Sequence, residues 1–378
     1  MSYRRRKPSI ESRGKYKTMT RNRLLSLDAM RGVAAITVLF HHVERVFGIS
    51  FGFPYGYLAV DFFFLMSGFV IANAYEPKMD ARLGLWAFFL LRLKRLYPMI
   101  ALGGLLGIAA VMFHRIDPLA LPGPHDFQLG ALSVLLVFPL VWSSDVLFPV
   151  NIPEWSLFFE VASNLVHRLL HPVLKTPVVV LVMALSVVAM GVIGVKVHGL
   201  ANGYSPETFW GGFPRAFFSY FLGVLIFRFT SKGALRAPSL PLPLMMLAFL
   251  GLVVLEAALG RRVPPSIYWI GCLVVAFPAL FLLVINASMP KGFSGFASGL
   301  GDLSYPLYAV HVPLLTFAAP FVLGFTGVQR YAAAGLVALG VILIALLLDR
   351  IYDRPVRKLL SGPRKPAAPE AEAQIAAP

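Results

Sequence analysis

Eleven stretches of largely apolar residues, near 29–47, 57–75, 96–114, 127–142, 154–170, 177–197, 208–229, 240–259, 267–287, 303–325 and 331–351, take up most of this chain. A run of about 20 such residues is what a hydrocarbon core of about 30 Å requires of a crossing helix. Hydrophobic residues make up 58% and charged residues 14% of the 378, whereas a soluble domain carries roughly 25% charged. The expected fold is therefore all-α, a polytopic transmembrane helical bundle.

Charge sets the orientation. Nine lysines and arginines face one acid, Glu11, in the first 23 residues, and Arg350, Arg354, Arg357, Lys358, Arg364 and Lys365 crowd the other end. Basic loops stay on the cytoplasmic side, so both termini are expected inside and the number of crossings even. Eleven has the wrong parity, and the weakest stretch is 127–142, which is short and carries Pro139. The expectation is ten spans, with 127–142 re-entrant or peripheral and the loop at 143–153 facing outward. The net charge of +16 is then a mark of topology rather than of nucleic-acid binding. Residues 1–24 read as a disordered basic tail and not as a signal peptide, 25–360 as the membrane domain and 361–378, rich in proline and alanine, as a second disordered cytoplasmic tail. The single cysteine, Cys272, offers neither a disulfide nor a metal site.

Five groups of polar residues interrupt the apolar runs. In the first, Arg31 and His42 are eleven residues apart, which returns to within roughly 20° of one helix face about 16 Å further along. That places a permanent cation near the membrane surface and a titratable base near the midplane, where an ionisable residue is a functional candidate. Asp61 lies among aromatics in the second span and needs a partner: Arg31, a histidine or a donor at the outer interface. Arg92, Lys94 and Arg95 sit on an amphipathic inner piece, with Arg92 and Arg95 sharing a face; they serve either as topological anchors or as a grip on one anion.

At the outer mouth of the fifth stretch, Ser156 and Glu160 share a helix face, with Trp155 as an interfacial aromatic. Capping and belt anchoring account for Ser156 and Trp155; Glu160, a turn deeper, is less easily explained. Ser304, Tyr308 and His311 recur at i, i+4 and i+7 in a late span that also holds Asp302 and Pro313. His311, between prolines, is either functional or bonded to a carbonyl that a proline frees. The remaining histidines, His114, His125, His167, His171 and His198, fall in or near loops and read as surface residues. There is no metal-ligand spacing, glycine-rich phosphate loop or Gly-x-Ser-x-Gly elbow.

Taken in order from about Leu25 to Arg357, these groups resemble the acyltransferase-3 family of integral membrane O-acyltransferases. Arg31 with His42 is similar to the family's Arg-x10-His signature, with His41 standing where an aromatic is usual. Gly56–Gly68 resembles its second-span motif, Arg92–Pro98 its basic motif, Trp155-Ser156-Leu157-x-x-Glu160 its outer motif and Asp302–Pro313 its late-span motif. The chain departs from the pattern after Glu160, where Val161-Ala-Ser-Asn164 replaces an aromatic pair. It is also expected to lack the soluble esterase-like domain of some members, which leaves the transfer chemistry to the membrane domain.

The resemblance implies transfer of an acyl group from acyl-CoA, with acetyl-CoA the expected form, to a hydroxyl of a carbohydrate or related exported molecule in the cell (inner) membrane. Acyl-CoA is a co-substrate, and no tightly bound cofactor or metal is implied. Arg31, Arg92, Lys94 and Arg95 would hold the CoA phosphates. His42 would act as general base or carry the acyl group. Glu160 and Asp302 would orient the acceptor or an imidazole, Ser304 and Tyr308 would stabilise the oxyanion, and His311 completes the catalytic set. Asp61, Trp155, Ser156 and Glu160 would meet the acceptor. The alternative is a transporter that uses the same intramembrane charges to move an anion or a sugar-like solute; the internal repeat such a protein often shows is not visible.

Overall fold

Where the apolar runs are uninterrupted, the chain is helical, because a backbone without water must bond to itself. The computed structural model describes residues 21–79, 84–114, 124–143, 145–196, 203–235, 237–259 and 264–361. The helices are α1 Arg21–Phe47, α2 Ala59–Met79 led by a 3-10 turn at Gly56–Leu58, α3 Leu85–His114, α4 Pro124–Leu136, α5 Glu154–Leu170, α6 Thr176–Lys196 and α7 Phe209–Ser231. They continue as α8 Leu242–Leu259, α9 Pro265–Gly271 running through a π turn at Cys272–Ala276 into α10 Phe277–Ile285, α11 Ser294–Leu323, α12 Gly327–Leu348, a π turn at Asp349–Asp353 and α13 Arg354–Ser361. Among the described residues the one extended pairing is an isolated bridge between Pro241 and Ser288. Apart from Arg21–Leu24, which already belong to α1, and Ser361, the two tails lie outside the described residues.

Among the described residues, eight helical runs are long and apolar enough to cross a membrane. α5, with 17 residues, and α8, with 18, are shorter; at 1.5 Å per residue they reach about 25 and 27 Å. α4 has 13 residues, about 20 Å. It stops before Val137, whose φ is 52°, and Leu147, Phe148, Val150 and Asn151 then return as buried irregular backbone. Rows of exposed apolar side chains, Leu181, Leu185 and Val188 on α6 and Leu336, Leu339 and Leu343 on α12, are the surface a bilayer would cover.

Two helix pairs organise the bundle, α1 with α11 and α2 with α7. Both approach backbone to backbone at glycine: a Cβ on Gly32 would lie 2.5 Å from the Leu300 carbonyl oxygen, and one on Gly68 would lie 1.8 Å from that of Tyr220. Small residues allow such contact between membrane helices. The pairs also have direction. Asp61 meets Arg215 and Glu76 meets Arg228, so α2 and α7 run the same way; Gly32 meets Leu300 and His42 meets His311, so α1 and α11 do too. With α5 and α8 crossing, both parallel pairings require an odd number of crossings between partners. That holds only if α4 does not cross, which leaves ten spans.

Candidate active site

His42 is carried by α1 and His311 by α11, and the parallel packing of these helices brings the two imidazoles together, Nε2 of His311 lying 3.2 Å from Nδ1 of His42. The hydrogen-bond pattern assigns their tautomers. Nδ1 of His311 contacts the carbonyl oxygens of Leu307 and Tyr308 at 3.0 and 2.9 Å, so it carries the proton and Nε2 accepts. Nδ1 of His42 must then donate, its proton shared between the Val38 carbonyl at 2.9 Å and His311. The basic nitrogen of His42 is Nε2, and among the described residues no group bonds it. The carbonyl that Pro313 frees is not what holds His311: Ala309 O is taken by Asn151 Nδ2 at 3.0 Å. His41 packs edge-on beside His42, with its Nδ1 3.2 Å from the Phe53 carbonyl. Glu44 accepts the backbone N–H groups of Phe51 and Phe53 and so ties that loop down.

A cavity of about 200 Å³ gathers most of the other residues singled out from the sequence. Arg31, Arg92 and Arg95 line it, together with Ser156, Glu160, Asp302, Ser304 and Tyr308. Arg31 is paired with Asp28 at 2.8 Å, whereas Arg95 makes no ion pair among the described residues. Lys94, although on the same helix, is exposed and does not line the cavity. His42 and His311 lie outside the cavity wall. Tyr308, in the cavity wall, is next to His311, its ring 5.9 Å from the imidazole and its hydroxyl bonded to Ser156 Oγ and, at 3.2 Å, to the Pro153 carbonyl.

Several partners differ from the sequence expectation. Glu160 accepts from Ser67 Oγ at 2.8 Å and from Arg92 Nη2 at 3.0 Å, so a residue placed at the outer mouth and one placed at the inner surface form one ion pair. Among the described residues neither Glu160 nor Asp302 touches an imidazole; Asp302 pairs with Arg354 at 2.6 Å. Ser156 does not cap α5, since its Oγ is bonded to the Pro153 carbonyl and to Tyr308. Trp155 is not an interfacial anchor: it is 7% exposed and lies over Arg215, 5.2 Å from the guanidinium carbon.

Arg215 is also the partner of Asp61, through Nε at 2.7 Å and Nη2 at 2.9 Å, with Trp269 Nε1 donating to the same carboxylate at 3.0 Å. His167 is fully buried rather than superficial, 3.2 Å from Glu76 and 3.0 Å from the Tyr220 hydroxyl, and Arg228 clamps the same Glu76. The side chains of His114, His125 and His198 lie outside the described residues. Arg215 and Arg228 did leave a signal: thirteen residues apart in an apolar span, they nearly match the fifteen between Asp61 and Glu76.

The Acyltransferase domain family matches residues 24–349. Acyltransferase MdmB of Streptomyces mycarofaciens is 27% identical over 92% of this chain and 94% of its own. Protein 2 in the picA locus of Rhizobium radiobacter is 36% identical over 44% of this chain and 93% of its own. Peptidoglycan O-acetyltransferase OatA of Listeria monocytogenes is 24% identical over 88% of this chain, which spans 56% of that protein. No solved structure matches. With the family match covering nearly all of the helical bundle, the chain belongs to the acyltransferase-3 family and is a multi-pass membrane acyltransferase.

Proposed function

We propose that the protein moves an acyl group, acetyl in the first instance, from a cytoplasmic acyl-CoA to a hydroxyl of a carbohydrate or related exported molecule. The observation that carries this reading is the His42–His311 pair, in which His311 packs against Tyr308 of an arginine-lined cavity and His42 keeps a basic Nε2. The phosphates would meet Arg31, Arg92 and Arg95 at the cytoplasmic end, and the pantetheine arm would run along the cavity toward Tyr308. His42 Nε2 takes the proton of the acceptor hydroxyl as its oxygen attacks the thioester carbonyl. The C–S bond then breaks and the proton passes to the departing thiolate, so that an ester and CoA are formed. His311 helps to hold His42 in the productive tautomer by accepting from Nδ1, and the cavity-lining hydroxyls of Ser304 and Tyr308 would turn to the developing oxyanion.

The name of the Listeria relative supports O-acetyl transfer to a glycan. Asp61 and Trp155 serve the acceptor side through Arg215 rather than by direct contact with the cavity. The basic termini support an inner-membrane protein with both ends in the cytoplasm. The test is release of free CoA and labelled ester from radiolabelled acetyl-CoA by the full chain in nanodiscs with glycan acceptors. Acceptor-dependent turnover that His42→Ala abolishes supports the reading; wild-type protein that shows no acceptor-dependent thioester loss with any acyl-CoA overturns it.

A further inference from the structure

Arg357 stands in the same cavity as Arg31, Arg92 and Arg95, although it comes from the far end of the chain on α13. Arg31, Arg92 and Arg357 all act electrostatically on Arg95, so four guanidinium groups from three separate helices converge. The contacts of Arg357 are incomplete. Its Nη2 is 2.6 Å from Asp353 and 3.8 Å from Asp349, yet its Nε is buried with no acceptor, and both carboxylate oxygens of Asp353 lack a properly oriented donor. Close charges without satisfied hydrogen bonds call for an explanation. A phosphate offers several acceptor oxygens and suits the planar fork of an arginine. The π turn at Asp349–Asp353 carries the chain into α13, and such turns recur at functional sites. Arg357 also lies beyond residue 349, where the family match ends.

We propose that Arg357 is a further phosphate ligand of this cavity, exchanging Asp353 for a phosphate of the acyl donor. The proposal rests on the acyl-CoA reading above. It also predicts opposite signs for the two members of the pair: removing the arginine weakens donor binding, whereas removing the competing carboxylate does not.

The experiment is equilibrium binding of CoA and of pantetheine, which lacks the phosphates, to the full chain in nanodiscs of neutral lipid. Arg357→Gln should weaken CoA binding about tenfold or more, the size of one lost charge-assisted hydrogen bond, and leave pantetheine unchanged. Arg357→Lys should recover part of the loss, Asp353→Asn should bind CoA as tightly as wild type or more tightly, and Lys358→Ala, an exposed charge on the same helix, should change nothing. Wild-type affinity in Arg357→Gln overturns the proposal alone, and so does equal weakening by Arg357→Gln and Asp353→Asn, which would mark a structural pair. In a parallel measurement in nanodiscs containing phosphatidylglycerol, loss of lipid retention by Arg357→Gln without loss of CoA affinity assigns the phosphate to a lipid and overturns it too. Wild-type protein that binds no CoA removes the acyl-CoA reading itself.

Discussion

Nε2 of His311 accepts from Nδ1 of His42 across 3.2 Å, and together with the Val38 carbonyl at 2.9 Å this contact leaves Nε2 as the basic nitrogen of His42. His42→Ala should therefore lower turnover by about 10²–10⁴-fold, the usual worth of a general base, while the protein remains folded in detergent. His311→Ala should lower turnover by less, because the Val38 carbonyl still holds the tautomer. If His42→Ala turned over like wild type and His41→Ala were inactive, the base would be the neighbouring histidine.

Arg95, which has no carboxylate partner among the described residues, should contribute to donor affinity more simply than Arg92, which also holds Glu160. Arg95→Ala should raise KM for acyl-CoA with little change in kcat, and the wild-type advantage should shrink as salt screens it. Arg92→Ala should lower both kcat and affinity. Salt titrations of steady-state rates on the two variants check this, and an unchanged KM in both would return them to topological anchoring.

Asp61→Ala should act on stability before it acts on the acceptor. It leaves Arg215 buried among Tyr57, Trp155 and Trp269 without its counter-ion, and breaking a buried pair from one side costs about 3–5 kcal/mol. Thermal unfolding in detergent should show a large drop for Asp61→Ala and for Arg215→Ala, with a non-additive double variant. Wild-type thermal stability with weakened acceptor binding would make Asp61 a direct acceptor ligand instead.

Gly68→Ala should disrupt assembly of α2 with α7, since the added carbon meets the Tyr220 carbonyl rather than a side chain that can turn away. The measurement is the yield of monodisperse protein, with Gly191→Ala on α6, where nothing lies within 4 Å, as the comparison. Equal yields would mean that the two helices pack further apart than this.

Single cysteines at Asp145 and Ser361, both exposed, should label from opposite faces with an impermeant reagent when Cys272 is replaced. Labelling of both from the cytoplasm would make α4 a true crossing and contradict the parallel pairings of α1 with α11 and α2 with α7.

Length and hydropathy by themselves determined the fold class, because a run of about 20 apolar residues has few alternatives to a helix in lipid. The parity of the basic ends required one stretch not to cross, shortness and Pro139 pointed to 127–142, and spacing placed Arg31, Arg92, Arg95, Ser156, Glu160 and Tyr308 among the candidates that one cavity now collects. The partners were a different matter. Helical periodicity says which residues share a face, but not which face of another helix that face meets. The glycine contacts of α1 with α11 and of α2 with α7 set those rotations and offsets. Only then did Asp61 find Arg215 and His42 find His311, 269 residues away along the chain, while Glu160 found Arg92 where α5 packs on α3, because a side-chain bond of about 3 Å depends on interhelical register that no single helix encodes.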